Sequence, residues 1–240
     1  MNKVLAALGD SVTCGEGVGL RVPAGQTWPS LLGAATGLTP QSLAVAGATV
    51  ADVREKQLPK LPRCDVAGVL IGLNDVCRGS FDESRFEAEI ATVLHGLQWR
   101  ADRILLATLP DPSRYLWVPK RVRRLVSHRL AAANAAITRA AASSSHVQVL
   151  DLAAVPDLAL RCAWSPDRVH PSPFGHVAIA AAATELLGAL PTSDLTVAPP
   201  AERAPNASQA WWLMRHGTGY LVRRGHTFAR PVLEGLRRAG

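Results

Sequence analysis

Three observations predict an α/β protein: five short, continuously apolar runs, longer helical patterns between them, and no repeat at the 20–50-residue scale. The runs are Val4–Leu8, Ser42–Ala46, Val66–Ile71, Ile104–Thr108 and Val147–Leu152. Each is rich in Val, Leu, Ile or Ala, as a strand covered on both faces must be. Between them lie helical segments at Pro29–Thr36, Val50–Gln57, Glu83–Gln98 and Pro119–Ala142, with a last one from about Phe174 to Leu190. Asp82 is placed to cap the third, and Pro173 opens the fifth. Strand and helix alternating in this way imply a three-layer α/β/α arrangement around a five-stranded parallel sheet, with a C-terminal extension.

Composition narrows the class. Of 240 residues, 48% are hydrophobic and 19% charged, which suits a globular chain able to bury one sizeable core. Aromatics make up only 5%, so Ala, Val, Leu and Ile must build that core. No apolar run approaches the roughly 18 residues of a transmembrane helix. The first apolar stretch, Val4–Leu8, falls short of the roughly 7–15 residues of a secretory core and runs straight into Gly9-Asp10-Ser11. It is expected to be a buried strand, and the protein cytoplasmic. Cys14, Cys64, Cys77 and Cys162 are too few and too scattered for a disulfide framework or a zinc cluster, and are expected to be reduced thiols.

The chain divides into residues 1–190, a catalytic-sized domain, residues 191–208, a Pro-rich linker or surface arm, and residues 209–240, a basic tail containing Trp211 and Trp212. From Trp211 onward six arginines face Glu234 alone, so this stretch carries +5 of the net +7. A second basic run, Lys120, Arg121, Arg123 and Arg124, opens the fourth helical segment. Neither has a nucleic-acid-binding signature, and no nucleic-acid partner is expected. The tail can pack back on the domain, form a homodimer contact, or lie on a membrane surface.

Chemistry-bearing residues cluster by position. In open α/β sheets, ligands bind beyond the carboxyl ends of the strands. The first strand ends in Gly9-Asp10-Ser11, the second leads to Gly47-Ala48-Thr49, and the third to Gly72-Leu73-Asn74-Asp75. After the fifth, the chain reaches Asp167-Arg168-Val169-His170. A hydroxyl, a small-residue turn, a carboxamide and an Asp/His pair thus fall on one rim. Ser11 needs a base to become nucleophilic, His170 can be that base, and Asp167 can fix its tautomer. An oxyanion needs preorganised donors, which the Ser11 and Gly47 amides and the Asn74 side chain can supply. Asp10 and Asp75 are read as supports for the loops carrying Ser11 and Asn74. Cys14, three residues from Ser11, is the other candidate nucleophile, but no paired histidine favours it. His95, His128, His146, His176, His216 and His226 show no metal spacing, and no metal or cofactor is expected.

These four blocks resemble those of the SGNH hydrolases, the GDSL esterase/lipase family. Gly9-Asp10-Ser11 with Thr13, Gly15 and Gly17 is similar to the first block, Ala44–Gly47 to the second, Gly72–Asp75 to the third and Asp167–His170 to the last. The second block differs in having Ser42 and Ala44 where an asparagine often stands. The resemblance implies a flavodoxin-like fold and metal-free hydrolysis of small-molecule esters or thioesters through an acyl-enzyme. Acyl transfer within a biosynthetic pathway uses the same triad, and a non-catalytic binding module is the remaining alternative.

Overall fold

Backbone alternation in the first strand explains the layered fold. In β1 (Val4–Gly9), Leu5 and Ala7 point into one apolar cluster while Ala6 and Leu8 point into another. The same division recurs in β3 (Cys64–Leu70) and β4 (Ala101–Ala107). With β2 (Thr39–Ser42) and β5 (Val147–Leu150), these form one sheet in the order β2-β1-β3-β4-β5, every pair parallel. The computed structural model describes residues 3–16, 21–115, 119–189, 195 and 200.

Helices cover both faces. On one side lie α2 (Trp28–Thr36) and α7 (Pro173–Leu186). The other holds α3 (Val50–Asp52), which continues as a single π turn over Val53–Gln57, together with α5 (Glu83–Leu97) and α6 (Lys120–Ala141). Two short helices, α1 (Ser11–Cys14) and α4 (Leu73–Val76), sit at the carboxyl ends of β1 and β3. On α6, Leu130, Ala133, Ile137 and Ala140 make the buried stripe, while the basic residues of its first turns face outward or lie half-buried. Leu5, Leu8, Ile104 and Leu106 are fully buried, each contributing roughly 1.5–3 kcal/mol by removal from water.

Three elements differ from expectation. The second strand is Thr39–Ser42, not Ser42–Ala46. It is an edge strand with every residue exposed, where polar side chains and Pro40 are tolerated. The apolar segment after it still runs beside β1, with Leu43 N–H bonded to the Ala7 carbonyl and Val45 N–H to that of Gly9, but without a regular ladder. The second expected helix, Val50–Gln57, loosens into a π turn from Val53, and α7 stops at Leu186 because Gly188, at φ 64°, turns the chain. The expected arm and tail, residues 191–240, lie outside the described residues apart from 195 and 200.

The start of α7 is fitted closely to the loop before it. Ser172 caps it, accepting from the Gly175 N–H, and a Cβ at Gly175 would stand 2.2 Å from the Ala163 carbonyl oxygen. Gly175→Ala is therefore expected to lower stability by about 1–3 kcal/mol. Urea denaturation measures this, and a loss under about 0.5 kcal/mol would show that α7 is free to shift.

Candidate active site

Order 2-1-3-4-5 places the topological switch between β1 and β3, where a crevice opens beyond the strand ends. Ser11 follows β1 there and begins α1, and Asn74 lies in α4 after β3. Gln57 fixes the exit of β1: its Nε2 donates to the Gly9 carbonyl at 2.8 Å while its Oε1 accepts from the Gly9 N–H at 3.0 Å. Asp10 caps α1 by accepting from Val12 N–H at 3.0 Å. Gly9 is fitted as tightly, since a Cβ would lie 2.3 Å from the Leu70 carbonyl oxygen.

His170 and Asp167 arrive on a narrow turn. Its arms meet at an antiparallel bridge between Trp164 and Pro171, closed by hydrogen bonds from Ser165 N–H to the His170 carbonyl and from Arg168 N–H to that of Ser165. Arg168 takes φ 60°, a left-handed conformation unusual outside glycine. Its buried guanidinium donates to the Arg161 carbonyl at 3.1 Å, tying the turn to the preceding loop. The result brings three side chains into series: His170 Nε2 lies 2.9 Å from Ser11 Oγ, and His170 Nδ1 lies 2.6 Å from Asp167 Oδ2. Asp167 Oδ1 accepts from the Val169 and His170 N–H groups, each at 3.0 Å. Burial opposes its charge, but the bond and charge of His170 and those two amides together hold its pKa below the ordinary carboxylate range.

The three donors expected from the sequence, the Ser11 and Gly47 amides and the Asn74 side chain, are unequal. Gly47 sits at φ 82°, which favours glycine. Neither its N–H nor that of Ser11 donates to an acceptor among the described residues. Asn74 is different: its Nδ2 donates both to Asp10 Oδ2 at 2.9 Å and to the Ala48 carbonyl at 3.0 Å. Asp75 accepts from the Val50 N–H, so it braces the start of α3, next to the Gly47 loop. Cys14 lies half-buried with Sγ near the Ser11 carbonyl, and burial pushes its thiol pKa up, away from thiolate chemistry. His176 is buried within α7, its Nδ1 accepting from the Trp28 N–H, and burial lowers its pKa to about 4. Among the described residues no group of three His, Cys, Asp or Glu side chains is arranged to hold a metal ion.

Gln57, Arg168 and the Asp10–Asn74 bond are supports that sequence reading missed. Gln57 left a signal, since it occupies the apolar stripe of its helix with Val50 and Val53, where a polar residue needs a partner. Arg168 left none.

Burial raises the Asp10 pKa to about 6 and that of Asp75 to about 7. The folded protein therefore holds protons that the unfolded chain releases near pH 4. The stability these groups contribute is complete below about pH 4 and is lost as pH rises through 6 and 7. At roughly 1.4 kcal/mol per pH unit, Asp75 accounts for at most about 4 kcal/mol of that loss. Asp75→Asn keeps an acceptor for Val50 and cannot ionise. Its unfolding free energy is expected to vary less than the wild type's between pH 4 and 7 in a urea series. An unchanged pH slope would assign the titration elsewhere.

A doubly wound sheet carrying a hydrogen-bonded Ser–His–Asp series at its carboxyl edge is the layout of a hydrolase. The chain belongs to the GDSL-like lipase/acylhydrolase family, which it matches over residues 7–178. No curated protein sequence matches it. Among solved structures it is similar to LAE5, an α/β hydrolase enzyme from the metagenome of Lake Arreo, at 22% identity and TM-score 0.62, covering 78% of this chain and 96% of that one. It is also similar to a lipolytic G-D-S-L family protein from Veillonella parvula at 15% identity and TM-score 0.63, covering 78% and 98%. A third is Axe2, an acetylxylan esterase from Geobacillus stearothermophilus, at 22% identity and TM-score 0.58, covering 82% and 97%. These likenesses define the fold. Among the described residues no helix is long and apolar enough to cross a membrane.

Proposed function

We propose that the protein hydrolyses small carboxylic esters through an acyl-enzyme on Ser11. The observation that carries this reading is the unbroken series from Ser11 Oγ through His170 to Asp167, at 2.9 and 2.6 Å. Ser11 Oγ attacks the ester carbonyl as its proton passes to His170 Nε2. Asp167 holds the Nδ1–H and stabilises the imidazolium. The developing oxyanion meets the Ser11 and Gly47 N–H groups, and Asn74 joins by sharing with it an Nδ2–H now donated to Asp10 or to the Ala48 carbonyl. Collapse expels the alcohol, which takes the proton from His170. Water, deprotonated by His170, then attacks the acyl-enzyme and releases the acid and Ser11.

No step uses a cofactor. The four free cysteines suit a reducing compartment, and we place the enzyme in the cytoplasm. The residue 209–240 tail remains a proposed homodimer or membrane-surface contact. Likeness to an acetylxylan esterase makes acetyl esters the first substrates to try. Labelling by a fluorophosphonate probe tests the reading. Wild type should label and Ser11→Ala should not, whereas folded wild type that resists the probe would favour a binding module.

A further inference from the structure

Two cavities meet at the rim. The smaller is about 20 Å³ and apolar, lined by Val12, Leu73, Leu109, Trp164, Val169 and Pro171 among others. Val12 follows Ser11, Leu73 precedes Asn74, and Val169 and Pro171 flank His170, so the chain neighbours of Ser11, Asn74 and His170 all line this cavity. Its size matches about one water molecule, or a methyl to ethyl group. The larger, about 370 Å³, lies between α6 and the loop after β5 and includes Ser127, Asn134 and Leu158. Both cavities are bounded by Leu109, Pro110 and Leu152.

That shared boundary is a packed wall. Leu109 and Leu152 are 2% and 0% exposed. Asn134 clamps the Leu109 backbone, accepting from its N–H at 2.7 Å and donating to its carbonyl at 2.8 Å. The turn after β3 also presses close, since a Cβ on Gly72 would stand 3.2 Å from Leu109 Cδ1. A wall held by two hydrogen bonds and close packing does not swing aside for a longer chain.

We propose that the smaller cavity is the acyl site and that Leu109, fixed by Asn134, ends it. The enzyme then accepts acetyl- and propionyl-sized acyl groups and rejects chains of about eight carbons, the larger cavity lying unused behind the wall. This rests on Ser11 being the nucleophile. A single misfitting methylene changes kcat/KM by about 10–200-fold in an apolar pocket, so the boundary reads out clearly in a chain series.

The test is kcat/KM for p-nitrophenyl acetate, butyrate and octanoate with wild type and Leu109→Ala, after fluorophosphonate labelling of both. Wild type is expected to favour acetate over octanoate by at least about tenfold. Leu109→Ala, which joins the two cavities, should raise the octanoate-to-acetate ratio at least about tenfold. Should Leu109→Ala not fold, Leu109→Val is expected to raise the butyrate-to-acetate ratio instead. Ser11-dependent labelling without an acetate preference, or a folded variant with an unchanged ratio, overturns the acyl-site assignment alone. Wild type that neither labels nor turns over any ester overturns it together with the functional reading beneath it.

Discussion

Ser11→Ala is expected to lower kcat by about 10⁴–10⁶ while leaving the fold in place. The side-chain hydroxyl makes one contact that matters, at 2.9 Å to His170 Nε2. Its backbone is held independently, by Asp10 capping α1 and by the Gln57 clamp on Gly9. Loss of one half-buried hydrogen bond costs about 0.5–1.5 kcal/mol, so the midpoint of urea unfolding should move little. No neighbouring group can take over. The Cys14 thiol is held from ionising by burial and lies against the Ser11 carbonyl, not against His170. Turnover of p-nitrophenyl acetate above a tenth of the wild-type rate would remove Ser11 from the nucleophile role.

The sheet was legible because its strands are covered on both faces, and such strands must be apolar at every position. Leu5 and Ala7 serve one layer, Ala6 and Leu8 the other, and the run is continuous as a result. Legibility fails where that cause is absent. Thr39–Ser42 is an exposed edge strand whose polar residues carry no apolar signal, so the adjoining Leu43–Ala46 drew the assignment three residues too far. The rim positions could be proposed from sequence because Ser11, Gly47 and Asn74 follow β1, β2 and β3 closely, while Asp167 and His170, well beyond the end of β5, share one turn. What could not be read is how the donors of that rim are shared. Asn74 looks like a free carboxamide in sequence, yet both acceptors of its Nδ2 are supplied from loops 26 and 64 residues away. Arg168 is similarly silent, because a left-handed φ and a buried guanidinium bonded to carbonyls depend on the completed turn and leave no periodic trace.

Asp167→Asn should cost about 10⁴ in kcat, nearly as much as losing the nucleophile, although it changes one atom. The two oxygens of Asp167 have separate tasks. Oδ1 receives the Val169 and His170 N–H groups and shapes the turn, and Oδ2 receives the proton on His170 Nδ1. In the variant, the amide oxygen must stay on Oδ1's side, because two backbone donors already converge there. The NH₂ then faces Nδ1, and donor would meet donor unless the imidazole moves its proton to Nε2. That tautomer presents an N–H to Ser11 Oγ in place of a lone pair, so the base is blocked with its geometry nearly intact. The carboxylate's lowered pKa also contributes stability above the unfolded carboxyl's pKa, lost as the pH falls through the folded value, and Asn forfeits it. The loss should therefore fall on kcat with little change in KM. Raising the pH should recover part of it, because hydroxide can replace the missing base. A variant that keeps more than a tenth of wild-type kcat at neutral pH would mean that Asp167 orients the turn and nothing more.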